Sequence, residues 1–292
     1  MKVWICAIAK MEELYIREWI EWNKQIGIDH IVLGDNNNSD YDKPLKTIIQ
    51  DYIDEGYIEL INKNDVLGVA EIFYKEIYQL KKNEFDWIGF IDIDEFIELP
   101  AYNNDIHLFL SNNKLKYIDA VIFPWLQYGD NEYLYYEDKP VKSRFTTPTK
   151  LKSVGIKYFI RSLDNISITS HHNPIKFIDK NKCCDTLFHI ITDDFGVKRD
   201  DGKLFTSIYV NETYYNNAYI SHYITKSTEE YIKFKILRGR VSGSIGKYKL
   251  RYDINFYYWI NKKTIDKDKL FEKYKQEIIN AEQHHLKKYN MI

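Results

Sequence analysis

"WIGFIDIDEFIEL" (residues 87–99) begins as an apolar run fit for the inside of a sheet and then sets Asp92, Asp94 and Glu95 within four positions. On an extended chain alternate side chains share a face, so Asp92 and Asp94 point the same way and Ile93 the other. Two carboxylates held that close in a poorly hydrated cleft repel each other, and a hard divalent cation, Mg2+ or Mn2+, relieves the repulsion. A plainer reading competes with this one: a solvated acidic turn, with "DEFIEL" opening a helix whose N-terminus favours acids.

The segments before it choose between an isolated turn and a ligand edge. "VWICAIA" (3–9) is a continuous apolar run of the kind buried on both faces of a parallel sheet. In "EELYIREWIEWNKQIG", residues Ile16, Trp19, Ile20 and Ile26 recur at helical spacing and Gly27 stands at the C-cap. "HIVLGD" (30–35) reads as a second strand, followed by the turn-forming "NNNSD". A helix over 43–54 capped near Gly56, a strand at 57–62, a helix over 69–83 and a strand at 87–92 complete the series. Such β-α repetition predicts an open, mostly parallel sheet flanked by helices, with ligands outside the carboxyl ends of its strands. Asp35 falls on that edge too, where an acid can accept hydrogen bonds from a ribose or nucleobase as well as form an Asx turn.

Composition narrows the partners. At 292 residues and 45% apolar content the chain can bury a full core. A net charge of −2 gives no global field for a polyanion, which argues against nucleic acid as a partner. Cys6, Cys183 and Cys184 make neither a disulfide framework nor a zinc site, and the opening residues lack a signal-peptide pattern. These features, with no stretch long enough to span a membrane, lead to the expectation of a cytoplasmic protein. The 25 tyrosines fit sugar-stacking surfaces, and fit the codon bias of an AT-rich genome better.

The second half loses the β-α rhythm. "AVIFPWLQ" (120–127), "IKYFIR" (156–161) and "NISIT" (165–169) read as strands, and His171 and His172 would point opposite ways on an extended segment. Ser227 with Glu230 three positions on is a capping-box pattern that starts a helix running to about Gly239. The remaining "DKDKLFEKYKQEIINAEQHHLKKYN" is an amphipathic helix that packs through Leu270, Tyr274 and Ile278, and its basic end suits contact with a membrane surface.

Four blocks together, "AIAKMEELYIREWIEWNKQIGIDHIVLGDNNNSD" (7–40), "DWIGFIDIDEFI" (86–97), "FPWLQYGDNEY" (123–133) and "SHYITKSTEEYIKFKILRGR" (221–240), resemble the metal-dependent glycosyltransferases of the GT-A fold, in the family 92 branch near family 2. Met11 stands where such proteins usually have Asn. The resemblance implies a GT-A domain over 1–240, with a nucleotide-binding half (1–100) and an acceptor-side half (101–240), followed by a helical extension over 241–292. It also implies a UDP-linked sugar donor, Mn2+ or Mg2+, inversion at the anomeric carbon, and an oligosaccharide or lipid-linked glycan acceptor in surface polysaccharide or glycan synthesis. The metal would be held by Asp94, with Asp92 supporting it or binding ribose, and by a histidine late in the chain: His222, with His171 and His172 as alternatives. Ala9, Asp35, Asp92, Lys226 and Arg238 would contact the donor.

Inverting transfer needs a carboxylate to take the acceptor's proton. Asp130, in the "YGDN" turn after the 120–127 strand, is the first candidate, with Glu132 and Glu95 as alternatives. A phosphatase of the haloacid-dehalogenase type and a non-catalytic carbohydrate-binding protein remain as other readings of an acidic D-x-D.

Overall fold

The computed structural model describes residues 1–66, 68–149, 153–191, 197–198, 204–205, 208–209, 212–238 and 254–288. Arg240 and the rest of the glycine-containing loop that follows Arg238 lie outside them.

Strand β1 (Val3–Ala9) is buried at all seven positions, as its unbroken apolar sequence requires. It pairs in parallel with β2 (His30–Asp35) and β4 (Trp87–Phe90), and β2 pairs in parallel with β3 (Ile58–Asn62). Helix α1 (Ile16–Gln25) and helix α2 (Val69–Lys81) make the crossovers, burying Trp19 and Phe73 among others. Gly27 and Gly56 end helical segments at φ 91° and 72°, where a side chain would be strained. The helix expected over 43–54 is broken into two short ones, Leu45–Ile48 and Gln50–Asp54.

Beyond β4 the sheet continues through β7 (Ile156–Arg161), antiparallel to both β4 and β6 (Ala120–Gln127). Along its other side β6 pairs in parallel with β8 (Cys183–Asp185) and β9 (Tyr219–His222). Outermost lies β5 (Glu95–Glu98), antiparallel to β9. Because two antiparallel steps separate β4 from β6, the strands β1, β2, β3, β4, β6 and β9 all point the same way. Their carboxyl ends form one edge. The architecture is thus the mixed α/β sheet, mostly parallel and wrapped by helices, expected of a GT-A protein.

The opening stretch resolves differently from a single strand. β4 stops at Phe90, residues 92–94 turn, and the chain re-enters the sheet as β5, so "DEFIEL" begins a strand and not a helix. Two indoles on α1 hold β5 in place: Trp19 Nε1 donates to the Glu95 carbonyl at 2.9 Å and Trp22 Nε1 to that of Ile97 at 2.8 Å. They satisfy carbonyls that an edge strand would otherwise leave open.

Other expectations shift too. Residues 165–169 form no strand, and Tyr158 Oη donates to the Ser170 carbonyl just beyond them at 2.7 Å. The Ser227–Glu230 capping box is present, but the helix α3 (Thr228–Tyr231) widens at once into a π turn over Ile232–Leu237. The C-terminal helix is two, α5 (Ile265–Lys273) and α6 (Lys275–Lys288), after α4 (Ile254–Ile260). Leu270 and Tyr274 do pack inward, with Tyr231, Ile232, Ile236, Tyr257 and Phe271, and Ile278 lies against them. Among the described residues no helix is long and apolar enough to cross a membrane.

Close packing at β6 can be tested at Gly155. A methyl group there would sit 2.2 Å from the Trp125 ring. Gly155→Ala is expected to displace that indole and to destabilise the fold by about 1–3 kcal/mol in urea unfolding, with a change in tryptophan emission.

Candidate active site

The turn after β4 places three carboxylates where the sheet ends, and each has a basic partner. Asp92 Oδ2 lies 2.9 Å from Lys157 Nζ, and Tyr74 Oη donates to Asp92 Oδ1 at 3.4 Å. The Asp92 side chain remains 39% exposed, so it reaches solvent at the carboxyl edge of the sheet. Glu95 folds back on the turn: its Oε2 accepts the Asp92 N–H at 2.9 Å and lies 3.5 Å from the same Lys157. Both Glu95 and Lys157 are fully buried. Burial raises the Glu95 carboxyl well above the usual range, whereas Lys157, against the effect of burial, holds Asp92 below it.

Asp94 is buried and faces elements from the far end of the chain. Its Oδ2 is 2.5 Å from Lys235 Nζ and 3.6 Å from His222 Nε2. Despite burial, Lys235 and His222 hold its carboxyl well below the ordinary carboxylate range. Desolvation lowers the His222 pKa, and the ring lies 4.3 Å from the Trp125 ring. Its Nδ1 is buried without a hydrogen-bond partner. The β9 register explains the placement: His222 stands beside Glu95 on one neighbour and Gln127 on the other, so it ends at the carboxyl edge one turn from Asp94.

Of the three histidines, His222 is the one whose ring faces Asp94. His171 and His172 are not splayed on a strand; their rings lie 4.0 Å apart, His171 near Tyr74 and His172 near Trp125. His172 Nδ1 is held 3.1 Å from the Ile156 carbonyl.

The cationic side of the crevice comes from the segment after β9. Lys226 adopts φ 53°, an uncommon left-handed conformation for a side-chain-bearing residue, and its ammonium lies 4.1 Å from the centre of the Tyr15 ring. Burial pushes its pKa down, with Glu12 and Asp94 acting the other way. Arg238 sits at the exit of β1, donating to the Lys10 carbonyl at 2.8 Å and pairing with Glu12. It therefore braces the loop that carries Met11, whose N–H donates to Asn37 Oδ1 at 2.7 Å. Ala9 and Asp35 are register partners at that same edge. Asp35 Oδ1 accepts the Asn37 N–H at 3.0 Å, the expected Asx turn, and burial raises its carboxyl pKa.

The three base candidates are placed unlike one another. Asp130 is buried, with Lys267 Nζ 2.5 Å from its Oδ2, the Tyr257 hydroxyl on the same oxygen, and the Glu132 N–H on Oδ1 at 2.9 Å. Its contacts tie the turn after β6 to the C-terminal helices, and it does not join the Asp94 group. Glu95 is sealed in the protein. Glu132 is 72% exposed, 3.8 Å from Lys262.

Whether the carboxylates suit a divalent ion depends on their donors. Among the described residues no three His, Cys, Asp or Glu side chains converge as a ready site. Asp94 and His222 nevertheless form a matched pair: two ligands each about 2.1 Å from one ion stand about 3.0–4.2 Å apart, depending on their angle. The observed 3.6 Å falls within that span. A hard carboxylate oxygen beside an imidazole nitrogen fits Mn2+ better than Mg2+, which prefers oxygen alone, with Lys235 required to release the shared oxygen.

The helix carrying Lys235 is itself anchored by a buried ion pair. Arg144 meets both oxygens of Glu230 at 2.7 and 2.9 Å, and Tyr15 Oη donates to Glu230 at 2.9 Å. Both partners are 1% exposed.

A sequence model of glycosyltransferase family 92 matches residues 5–290. The chain belongs to that family. A glycosyltransferase family 92 protein of Ricinus communis is 26% identical over 97 residues, 33% of this chain and 17% of that protein. One from Oryza sativa subsp. japonica is 28% identical over 114 residues, 38% of this chain and 18% of that protein. The matches thus span less than a fifth of the length of these curated relatives. Among solved structures, S. aureus TarS in complex with UDP superposes with a TM-score of 0.34 at 11% identity, covering 56% of this chain and 47% of that one. The mannosyltransferase PcManGT of Pyrobaculum calidifontis, in complex with GDP-Man and Mn2+, gives 0.30 at 12%, covering 41% and 34%. Membership sets aside the phosphatase reading of the D-x-D.

Sequence reading missed Lys157 and Lys235. A lone lysine inside the apolar "IKYFIR" was a signal, because a charge on a buried strand needs a partner. Lys235, one of two lysines in a helix, looks the same as a solvated one.

The Arg144–Glu230 pair yields a direct test. Although burial disfavours its charge, Arg144 and Ser227 hold Glu230 below the usual carboxylate range. Its contribution is therefore present above the unfolded pKa, about 4.3, and lost as pH falls through the folded value. Arg144→Ala is expected to destabilise the protein by about 3–5 kcal/mol at pH 7, with the gap from wild type narrowing as urea unfolding is repeated at decreasing acidic pH.

Proposed function

We propose that this protein transfers a glycosyl group from a nucleoside diphosphate sugar, UDP-linked, to a carbohydrate acceptor with inversion. The observation that carries the reading is the meeting of Asp94, His222, Lys226 and Lys235 at the carboxyl edge of the sheet, within one strand's width of Asp92. Carboxylates and cations side by side are what a diphosphate leaving group with its counter-ion needs. Departure of the diphosphate leaves extra negative charge on its oxygens, and donors fixed in a buried site stabilise that charge without reorganising.

In this reading Asp94 and His222 hold Mn2+ or Mg2+, which when bound supplies Lewis-acid stabilisation of the leaving group. Lys235 and Lys226 face the diphosphate. Asp92, fixed by Lys157 and Tyr74 but open to the crevice, binds the ribose or supports the ion. Asp35 and the backbone at Ala9 line the nucleoside. Arg238 acts by bracing the β1 loop against Glu12. For the base, Asp130 is committed to Lys267 and Tyr257, and Glu95 is sealed against Lys157 away from any acceptor; Glu132, exposed beside the same strand end, takes the acceptor's proton. The acceptor is an oligosaccharide or a lipid-linked glycan of a surface polysaccharide, reached from the cytoplasmic side with peripheral contact at the membrane.

Manganese-dependent release of UDP from UDP-sugars is the assay. Wild type is expected to release UDP; Asp94→Asn is expected to lose both release and metal-dependent donor binding while keeping the wild-type circular dichroism spectrum. Turnover at the wild-type rate in that variant removes Asp94 from the metal site.

Glu132→Gln keeps the size of the side chain and removes its basicity. Transfer is expected to fall by a factor of about 10² to 10⁴ with donor affinity unchanged. If Asp130→Asn shows that pattern and Glu132→Gln does not, the base is Asp130.

A further inference from the structure

At the same sheet edge, just past β6, lies a cavity of about 420 Å³. Its walls include Asn131, Glu132, Thr147, Thr149, Asn261 and Lys262. One wall is attached directly to the strand that flanks His222: the Thr149 N–H donates to the Gln127 carbonyl at 2.7 Å, and Gln127 is the register partner of His222. The next residue, Tyr128, donates its N–H to the His222 carbonyl at 3.0 Å. At about 3.3 Å per residue the cavity therefore begins within about 10 Å of His222.

Its chemistry selects a class of ligand. The floor is rigid: Asn261 Oδ1 accepts the Asp130 N–H at 2.7 Å, and a Cβ on Gly129 would come within 2.9 Å of that same oxygen. Its charges cancel, Asp130 against Lys267 at 2.5 Å and Glu132 against Lys262 at 3.8 Å. The walls offer hydroxyl and amide groups, and Thr149, one of the wall residues, holds its Oγ1 buried without a hydrogen-bond partner. A phosphate would find no net positive charge here, and Pro148 and Ile260 give the otherwise polar lining an apolar strip of the kind a sugar ring face can lie on. A neutral, polyhydroxylated ligand fits.

We propose that this cavity binds a neutral sugar unit of the acceptor, next to the nucleotide-sugar crevice; the assignment rests on the transferase reading above. Asp130, in this assignment, shapes the floor of the acceptor subsite through Lys267 and Asn261.

Saturation-transfer NMR with methyl β-D-glucopyranoside, methyl β-D-galactopyranoside and methyl N-acetyl-β-D-glucosaminide tests it on the full chain. Wild type is expected to give transfer to at least one glycoside. Thr147→Trp, at an exposed loop position, fills the cavity and should abolish the signal. Thr149→Val keeps the shape, removes the orphan hydroxyl and should weaken affinity by about fivefold. Binding of UDP with manganese is followed in parallel and should be unchanged in both variants. No transfer to any of the three glycosides in wild type, or an undiminished signal in Thr147→Trp, overturns the proposal. Glycoside binding that is lost in Thr147→Trp, in a protein that binds no UDP, upholds the cavity as a sugar site and overturns the nucleotide-sugar reading instead.

Discussion

Three carboxylates in four positions at the end of a buried strand would repel one another enough to open the turn that holds them, and the site is built around preventing that. Lys157 bridges Asp92 and Glu95 from β7, while Lys235 and His222 reach Asp94 from the end of the chain. Burying these charges is tolerable only because each is matched, and removing either lysine would leave an acid unpaired in the interior. Strand order follows from the same requirement: β7 must lie beside β4 to deliver Lys157, and β9 must return between β6 and β5 to deliver His222.

The pairing also divides labour among the acids. Glu95, sealed and raised in pKa, holds the turn by accepting the Asp92 N–H, whereas Asp92 and Asp94 stay ionised beside ammonium groups. A carboxylate kept charged by a lysine is ready to exchange that lysine for another cation at small electrostatic loss. The site is thus suited to ligands that bring negative charge and counter-ions together.

What could be read in the sequence follows physical range. The first four strands were legible because unbroken apolar runs and helical spacing are local signals, and the parallel edge that joins Asp35 to Asp92 follows from β-α alternation alone. His222 could be set beside the acids only through resemblance, since more than a hundred residues separate it from Asp94. That Asp130 pairs with an internal lysine was not legible locally, because a Gly-Asp turn after a strand looks alike whether the acid faces a ligand or an internal lysine; Lys267, its partner, is 137 positions away. The fold-back of Glu95 onto the Asp92 N–H was hidden for a local reason: alternation along an extended chain assumes that the strand continues, and the chain turns before Glu95 instead.

The π turn over Ile232–Leu237 has a consequence for the spacing of the cations it carries. Each residue of an α-helix advances about 100° around the axis, so the wider turn acts as a phase offset between the capped start of the helix, fixed by Glu230 on Arg144, and its end. That offset lets Lys235 meet Asp94 in the turn before β5 while Arg238, three residues on, meets Glu12 in the loop after β1. A one-residue deletion between Glu230 and Lys235 would turn both cations away from their acids together, though no residue touching a carboxylate had been replaced. The length of this short segment, as much as its residue types, thus sets which acids its cations meet.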